Sequence, residues 1–194
     1  MSALDRRATV ARLLAGRGDA LVVTGLGGTT YDVSTVGDHD HNYYLWGAMG
    51  GAVSMGLGLA LAQPDRRVIV VTGDGEAMMG LGSFATVARA APSNLVVLVI
   101  DNGLYGETGA QEGHSAHGTD IAAVARACGI PDAVTVADTP ALDTLADRLS
   151  TACGPLVAVI AVDRANHPRE VTNSIRDAAY LRGRFRKALG LAVE

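Results

Sequence analysis

The chain has 194 residues, 48% of them hydrophobic and 19% charged, so it holds enough apolar material for one domain with a real core and is not a disordered chain. A net charge of −4 with no basic cluster argues against nucleic acid as the main partner. No apolar run approaches the roughly 18 residues of a membrane span, and the first dozen residues, Asp5, Arg6 and Arg7 among them, lack the apolar stretch of a secretory signal. Cys128 and Cys153 lie far apart in apolar surroundings and read as core thiols of a reducing, cytoplasmic setting. The high glycine content and scarcity of aromatics fit α/β proteins in which backbone turns approach ligands closely.

In chain order, Ala3 to Ala15 carries a helical stripe at Leu4, Ala8, Ala11 and Ala15. Ala20 to Thr24 reads as a buried strand. Gly25 to Trp46 is a long irregular stretch, with Gly27-Gly28, Thr29-Thr30 and the run Asp38-His39-Asp40-His41; a loop of that length in a compact domain is usually functional. Gly47 to Ala62 reads as a helix crowded with small residues, as if packed against a backbone or cofactor. Arg67 to Thr72 is a continuous apolar strand ending in Gly73-Asp74-Gly75, followed by a helix from about Glu76 to Ala91. Leu95 to Ile100 is a second such strand, ending in Asp101-Asn102-Gly103, with a loop from Leu104 to Gly118 after it. Thr119-Asp120 can cap a helix running to Cys128 that Gly129 stops. Ala133 to Val136 and Leu156 to Val162 are strands; Pro140 to Thr151 and Ser174 to Leu189 are helices. This alternation predicts a single α/β domain over 1–194, a parallel sheet with helices on both faces.

Ligands of such sheets bind at the carboxyl ends of the strands, where both acidic glycine turns fall. Asp74 and Asn102 are 28 residues apart, one strand–helix–strand unit, so their strands should be close and both side chains should reach one rim. A carboxylate and an amide oxygen are hard ligands suited to Mg²⁺, which takes few protein ligands and fills its octahedron with phosphate oxygens and water. The glycines around Asp74 let a phosphate approach the main chain, and the start of the next helix offers free N–H groups. Either turn alone is an ordinary structural feature; together, at this spacing, they point to a Mg²⁺–diphosphate site.

The run GDGEAMMGLGSFATVARAAPSNLVVLVIDNGLYGETG, Gly73 to Gly109, resembles the thiamine diphosphate motif, a GDG followed just under thirty residues later by an Asn-containing strand end. The segment YLWGAMGGAVSMGLGLALA, Tyr44 to Ala62, resembles the stretch that precedes that motif. Gly47-Ala48-Met49-Gly50, Gly82-Ser83-Phe84-Ala85-Thr86 and Thr108-Gly109-Ala110-Gln111 are similar to the small subunits of sulfopyruvate and phosphonopyruvate decarboxylases; the likeness runs over about Asp38 to Gly129. The resemblance implies Mg²⁺ bound by Asp74, Asn102 and the Leu104 carbonyl. It implies backbone contacts to the diphosphate from the Gly73 turn through Gly75, Glu76 and Ala77; Tyr105, with Gly106, reads as packing near the diphosphate or, equally, as a core tyrosine. It places Met49 under the cofactor to force a folded V shape, and the Gly47 carbonyl on the pyrimidine 4′-amino group. Two positions depart from the pattern. Glu76 stands where Ser is common, and its carboxylate should turn away from a diphosphate. Asp101 replaces the first residue of the usual Asn-Asn pair.

Thiamine diphosphate chemistry needs a carboxylate on pyrimidine N1′, and in this family it comes from a separate pyrimidine-binding domain. The motifs here are those of the diphosphate-binding domain, so a separately encoded partner subunit is expected, in an α₂β₂ or larger assembly, with this chain inactive alone. The implied reaction is decarboxylation of a small 2-oxo acid; carboligation at the same site is the alternative, and a non-catalytic diphosphate- or nucleotide-binding module is another. His39 and His41 stand as candidates for a substrate contact or a catalytic proton donor, against a solvated loop; a zinc site there lacks a further Cys/His pair. His114 and His117 read as a lid or a mobile surface loop, Met78-Met79 as core, His167 as structural, and the arginines of the last helix as a solvated face or a subunit contact.

Overall fold

The structure is a computed structural model and describes residues 3–165 and 176–192. Six parallel strands form the sheet in the order β2-β1-β3-β4-β8-β7. They are β1 (Leu21–Thr24), β2 (Asn42–Tyr44), β3 (Val68–Gly73), β4 (Leu95–Asp101), β7 (Ala133–Val136) and β8 (Leu156–Ala161). The central strands read as unbroken apolar runs because alternate residues feed two separate cores. Val22, Ile69, Leu98 and Ile160 pack against α1 (Arg6–Leu14), α2 (Gly28–Gly37) and α7 (Thr139–Arg148). Val23, Val70, Val97 and Val157 pack against α3 (Ala52–Ala62), α5 (Ser83–Ala90) and α6 (Ile121–Ala127). A closing helix, α8 (Ala178–Ala188), contributes Leu181 to one core and Phe185 to the other.

Several expectations are corrected. The stretch from Gly25 to Trp46 is not irregular: it holds α2 and β2. The α2 sequence, GTTYDVSTVG, is rich in β-branched residues and framed by glycines, so propensity hides a helix that packing creates. The helix expected from Gly47 begins at Ala52, because Gly50 holds φ +88° and turns the chain first. The helix expected from Glu76 to Ala91 is two, α4 (Asp74–Met79) and α5, and the helix begins at Asp74 itself. They break at Gly80, where a Cβ would run into the Gly50 carbonyl. The loop after Asn102 contains an antiparallel hairpin, β5 (Leu104–Tyr105) with β6 (Gln111–Glu112), and a short 3₁₀ turn at Ser115–His117. The final helix starts at Ala178, capped by Asp177, rather than at Ser174, which with His167 lies outside the described residues.

Arginines in and just before the last helix are used within the chain. Arg184 pairs with Asp38 at 2.5 Å and Arg176 stacks over Trp46 at 5.5 Å. Met79 is 64% exposed, not core, whereas Met78 packs against the core; of the two cysteines expected in the core, Cys128 is half-buried against it and Cys153 is exposed.

Candidate functional site

The sheet changes winding direction between β1 and β3. From β1 the chain leaves through α2 towards one edge, and from β3 it leaves through α4 and α5 towards the other. The loops after these adjacent strands therefore diverge and open a crevice at their carboxyl ends. Leu26 to Thr29 form one wall and Gly73 to Glu76 the other. Met49, Asn102 and Leu104 also line it, with the hairpin residues Tyr105 and Gly106 over it.

The β3–β4 register pairs Gly73 with Ile100, so the two acidic turns emerge side by side. Asp74 is the first residue of α4 and only 3% exposed. Burial first, and then the nearby Asp101 carboxylate, push its carboxyl up to about 6, against hydrogen bonds from Ser115 and from the Asp74 and Gly75 N–H groups. The Ser115 hydroxyl lies 2.9 Å from Asp74 Oδ2 and 2.8 Å from Asp101 Oδ1; its one proton serves a single carboxylate at a time. Asn102 Oδ1 accepts from the Leu104 N–H at 3.0 Å, which fixes the amide oxygen at the rim.

Glu76 turns its carboxylate inward. Oε2 accepts from Thr72 Oγ1 at 2.7 Å, and the group packs on Gly25. Burial raises its pKa, with the Thr72 hydroxyl and the Gly50, Leu26 and Ala52 N–H groups acting the other way. Met49 is held over the crevice because Gly50, just after it, is clamped on Gly80. Tyr105 lies against Gly75, with its hydroxyl 2.8 Å from His114 Nδ1. His117 pairs with Glu112 at 3.2 Å on the exposed side of the hairpin.

Four expected positions fall elsewhere. Gly47 is exposed and Ala77 is buried in the core, and neither lines the crevice. As the fourth residue of α4, Ala77 is also the first whose N–H meets an acceptor inside the helix. His39 and His41 are corrected outright. They precede β2, and the His41 carbonyl accepts from Val22 N–H at 2.8 Å, so they sit at the amino rim of the parallel sheet, opposite the crevice. There His41 faces Arg66 at 3.4 Å, and the two imidazoles meet at a tilt with their centroids 4.9 Å apart.

The sequence reading missed the β1 side. The first turn of α2 presents its N–H groups to the crevice, and the hydroxyl of Thr29, a residue 4% exposed, is buried without a hydrogen-bond partner. The legible signal was Gly-Gly-Thr-Thr after an apolar strand, the same grammar as Gly-Asp-Gly after β3. Ser115 gave no signal, since only the fold brings it to Asp74.

The donor set of a carboxylate, an amide oxygen and main-chain groups is hard. Among the described residues no three His, Cys, Asp or Glu side chains cluster to hold a metal. A cation at Asp74 and Asn102 would therefore share oxygens of a bound anion, and the N–H groups of two helix starts with the orphaned Thr29 hydroxyl fit that anion.

Residues 26–162 match the family described as thiamine pyrophosphate enzyme, C-terminal TPP binding domain. The chain is 45% identical over 161 residues to a phosphonopyruvate decarboxylase of Streptomyces viridochromogenes, covering 81% of this chain and 39% of that protein. It is 40% identical over 110 residues to the sulfopyruvate decarboxylase subunit beta of Methanocaldococcus jannaschii, covering 57% of this chain and 58% of that subunit. A solved chain from Mycobacterium smegmatis, described as a thiamin diphosphate-dependent enzyme, superposes with TM-score 0.67 at 25% identity, over 81% of this chain and 31% of that one. The chain thus spans less than two thirds of the length of either of these two curated relatives. It belongs to the family of C-terminal, TPP-binding domains of thiamine pyrophosphate enzymes.

Proposed function

We propose that this chain is the diphosphate-binding subunit of a heteromeric, thiamine diphosphate- and Mg²⁺-dependent decarboxylase of a small 2-oxo acid. Asp74, Asn102 and the Leu104 carbonyl would hold Mg²⁺, and the first turns of α4 and α2, with Thr29, would hold the diphosphate. The single observation that carries this is the emergence of Asp74 and Asn102 side by side at the crevice between β1 and β3. The bound coenzyme supplies a carbon nucleophile and an electron sink for loss of CO₂. The chain's own part is to fix the coenzyme's position. Met49 buttresses it from the crevice wall, Tyr105 and the hairpin shield it from water, and Glu76 holds the β1 and α3 loops together by facing their N–H groups.

A separate pyrimidine-binding subunit would supply the glutamate for N1′, in an α₂β₂ or larger assembly. The beta-subunit relatives support this division. The names of the relatives favour a 2-oxo acid with a phosphonate or sulfonate arm. No helix among the described residues is long and apolar enough to cross a membrane, and both thiols are free, which supports a cytoplasmic enzyme. Calorimetric titration with thiamine diphosphate and Mg²⁺ tests the reading. Metal-dependent binding lost in Asp74→Ala is the expected result; equal binding by that variant, or ADP binding without any thiamine dependence, would overturn it.

A further inference from the structure

The crevice has one positive side chain at its α2 end that the metal site does not use. Arg6 is 8% exposed and lines the crevice with Gly28 and Thr29. It reaches there because Leu4 bridges to Val162, just past the end of β8, so α1 starts at the carboxyl rim of the sheet. Two of its three nitrogens are committed. Nε donates to Asp32 Oδ2 at 2.5 Å and Nη2 to Asp32 Oδ1 at 3.4 Å, and Asp32 is fully buried and shared with Arg7. The third, Nη1, lies against the first residue of α2. A Cβ on Gly28 would stand 2.7 Å from it, so glycine is required for the guanidinium to rest on the helix start.

Burying a guanidinium is costly, and a shared carboxylate does not exhaust its donors. The bidentate grip of Asp32 fixes the plane of the fork, so the free edge is pre-aimed. Beside it are the α2 N–H groups and the unpartnered Thr29 hydroxyl. A fixed cation, a helix start and an orphaned hydroxyl at one end of one crevice are the complement of a multiply charged tetrahedral oxyanion. Arg6 also lies outside the stretch that matches the family, 26–162.

We propose that Arg6 is an anion-binding residue of this crevice, contacting a phosphate-class oxyanion at the α2 end, with Asp32 as its positioning residue. The inference rests on the cofactor reading above. The oxyanion has two possible sources, the distal phosphate of the coenzyme and the phosphonate or sulfonate arm of the substrate.

The test uses Arg6→Met, which keeps the length and removes the charge. Affinity for thiamine diphosphate and for thiamine monophosphate is measured by calorimetry at saturating Mg²⁺. The KM for phosphonopyruvate and for pyruvate is measured on the assembled complex. If the distal phosphate is the ligand, thiamine diphosphate affinity falls about 10- to 100-fold, thiamine monophosphate affinity changes far less, and the two KM values keep their ratio. If the substrate arm is the ligand, coenzyme affinity holds and the KM for phosphonopyruvate alone rises by that factor. Unchanged affinities and an unchanged KM ratio overturn the proposal. Should Arg6→Met fail to fold with Asp32 left behind, Arg6→Met/Asp32→Asn removes both charges, and the same outcomes decide. Asp74→Ala is run in parallel. If it still binds the coenzyme with Mg²⁺, the cofactor reading fails; if it does not, while the Arg6 variant is unaltered in every arm, only the role of Arg6 fails.

Discussion

The two rims of the sheet carry similar side chains and treat them differently. At the amino rim, Arg67 donates to the Ala152 carbonyl at 3.0 Å and the Ser150 carbonyl at 3.3 Å. Arg17 donates to Asn42 and to the Ala20 carbonyl, and Asn94 donates to the carbonyls of Ala60, Gln63 and Arg66. These groups tie loops together, although Arg17 Nε and His41 Nδ1 are buried there without a partner. At the carboxyl rim, Asp74 is buried beside a second carboxylate with one serine proton between them, Thr29 lacks a partner, and Arg6 keeps a nitrogen at the crevice wall. Both rims leave buried polar atoms without partners; what sets the carboxyl rim apart is that its underserved groups share one crevice with a buried, crowded carboxylate, the arrangement of a ligand site.

Breaking the carboxyl rim should have the largest effects. Asp74→Ala should lower Mg²⁺-dependent affinity for thiamine diphosphate by at least about 100-fold, since it removes the one carboxylate of the proposed metal set. Met49→Ala should slow hydrogen exchange at the thiazolium C2 by about tenfold or more, read by NMR, with coenzyme affinity changed less than about threefold; a matching loss in both would remove Met49 from its buttressing role. Ser115→Ala removes the hydroxyl between Asp74 and Asp101. It should weaken Mg²⁺ binding about 10-fold, in the range of lost outer-layer partners of metal ligands, and Ser115→Thr should restore most of it.

The sequence made one rim partly readable and the other misleading. Strands β3 and β4 are unbroken apolar runs with acidic glycine turns, so the sheet, its parallel sense and the pairing of Asp74 with Asn102 could be read from pattern alone. Helix α2 could not, because a Gly-Thr-Thr start with β-branched neighbours is helical only through its packing on α1 and β3. With α2 hidden, β2 was hidden too, and so were the switch point and the Thr29 wall. The His39–His41 run then looked like part of a long functional loop next to the site, although a strand separates it from that rim. Ser115 and Arg6 are joined to the site by contacts across 41 and 22 residues, to Asp74 and Gly28, which no local pattern encodes.

A smaller effect follows from protonation. The Asp74 carboxyl sits at about 6 in the folded chain, above the roughly 3.9 of an unfolded aspartate. A raised carboxyl pKa favours folding while the group is protonated, so its contribution is full below about pH 4 and is lost as pH rises through about 6. At roughly 1.4 kcal/mol per pH unit the loss is about 3 kcal/mol at most. Urea unfolding of metal-free protein should show it as a declining difference between wild type and Asp74→Asn from pH 4 to 7. Mg²⁺ with thiamine diphosphate should reverse that decline, because a cation stabilises the ionised form. A difference that stays flat with pH would mean that Asp74 is not held as the structure holds it.

The smallest expected effect sharpens the contrast from the other side. His39→Ala/His41→Ala removes two imidazoles that touch each other, Arg66 and the exposed turn before β2, and nothing at the crevice. With the full length of the β1–β2 pair between them and the crevice, neither can exchange a proton with a group bound there. The assembled enzyme should keep its kcat/KM within about twofold across pH 5.5 to 8, measured by steady-state kinetics. A tenfold loss would return this run to the reaction and erase the division between the two rims.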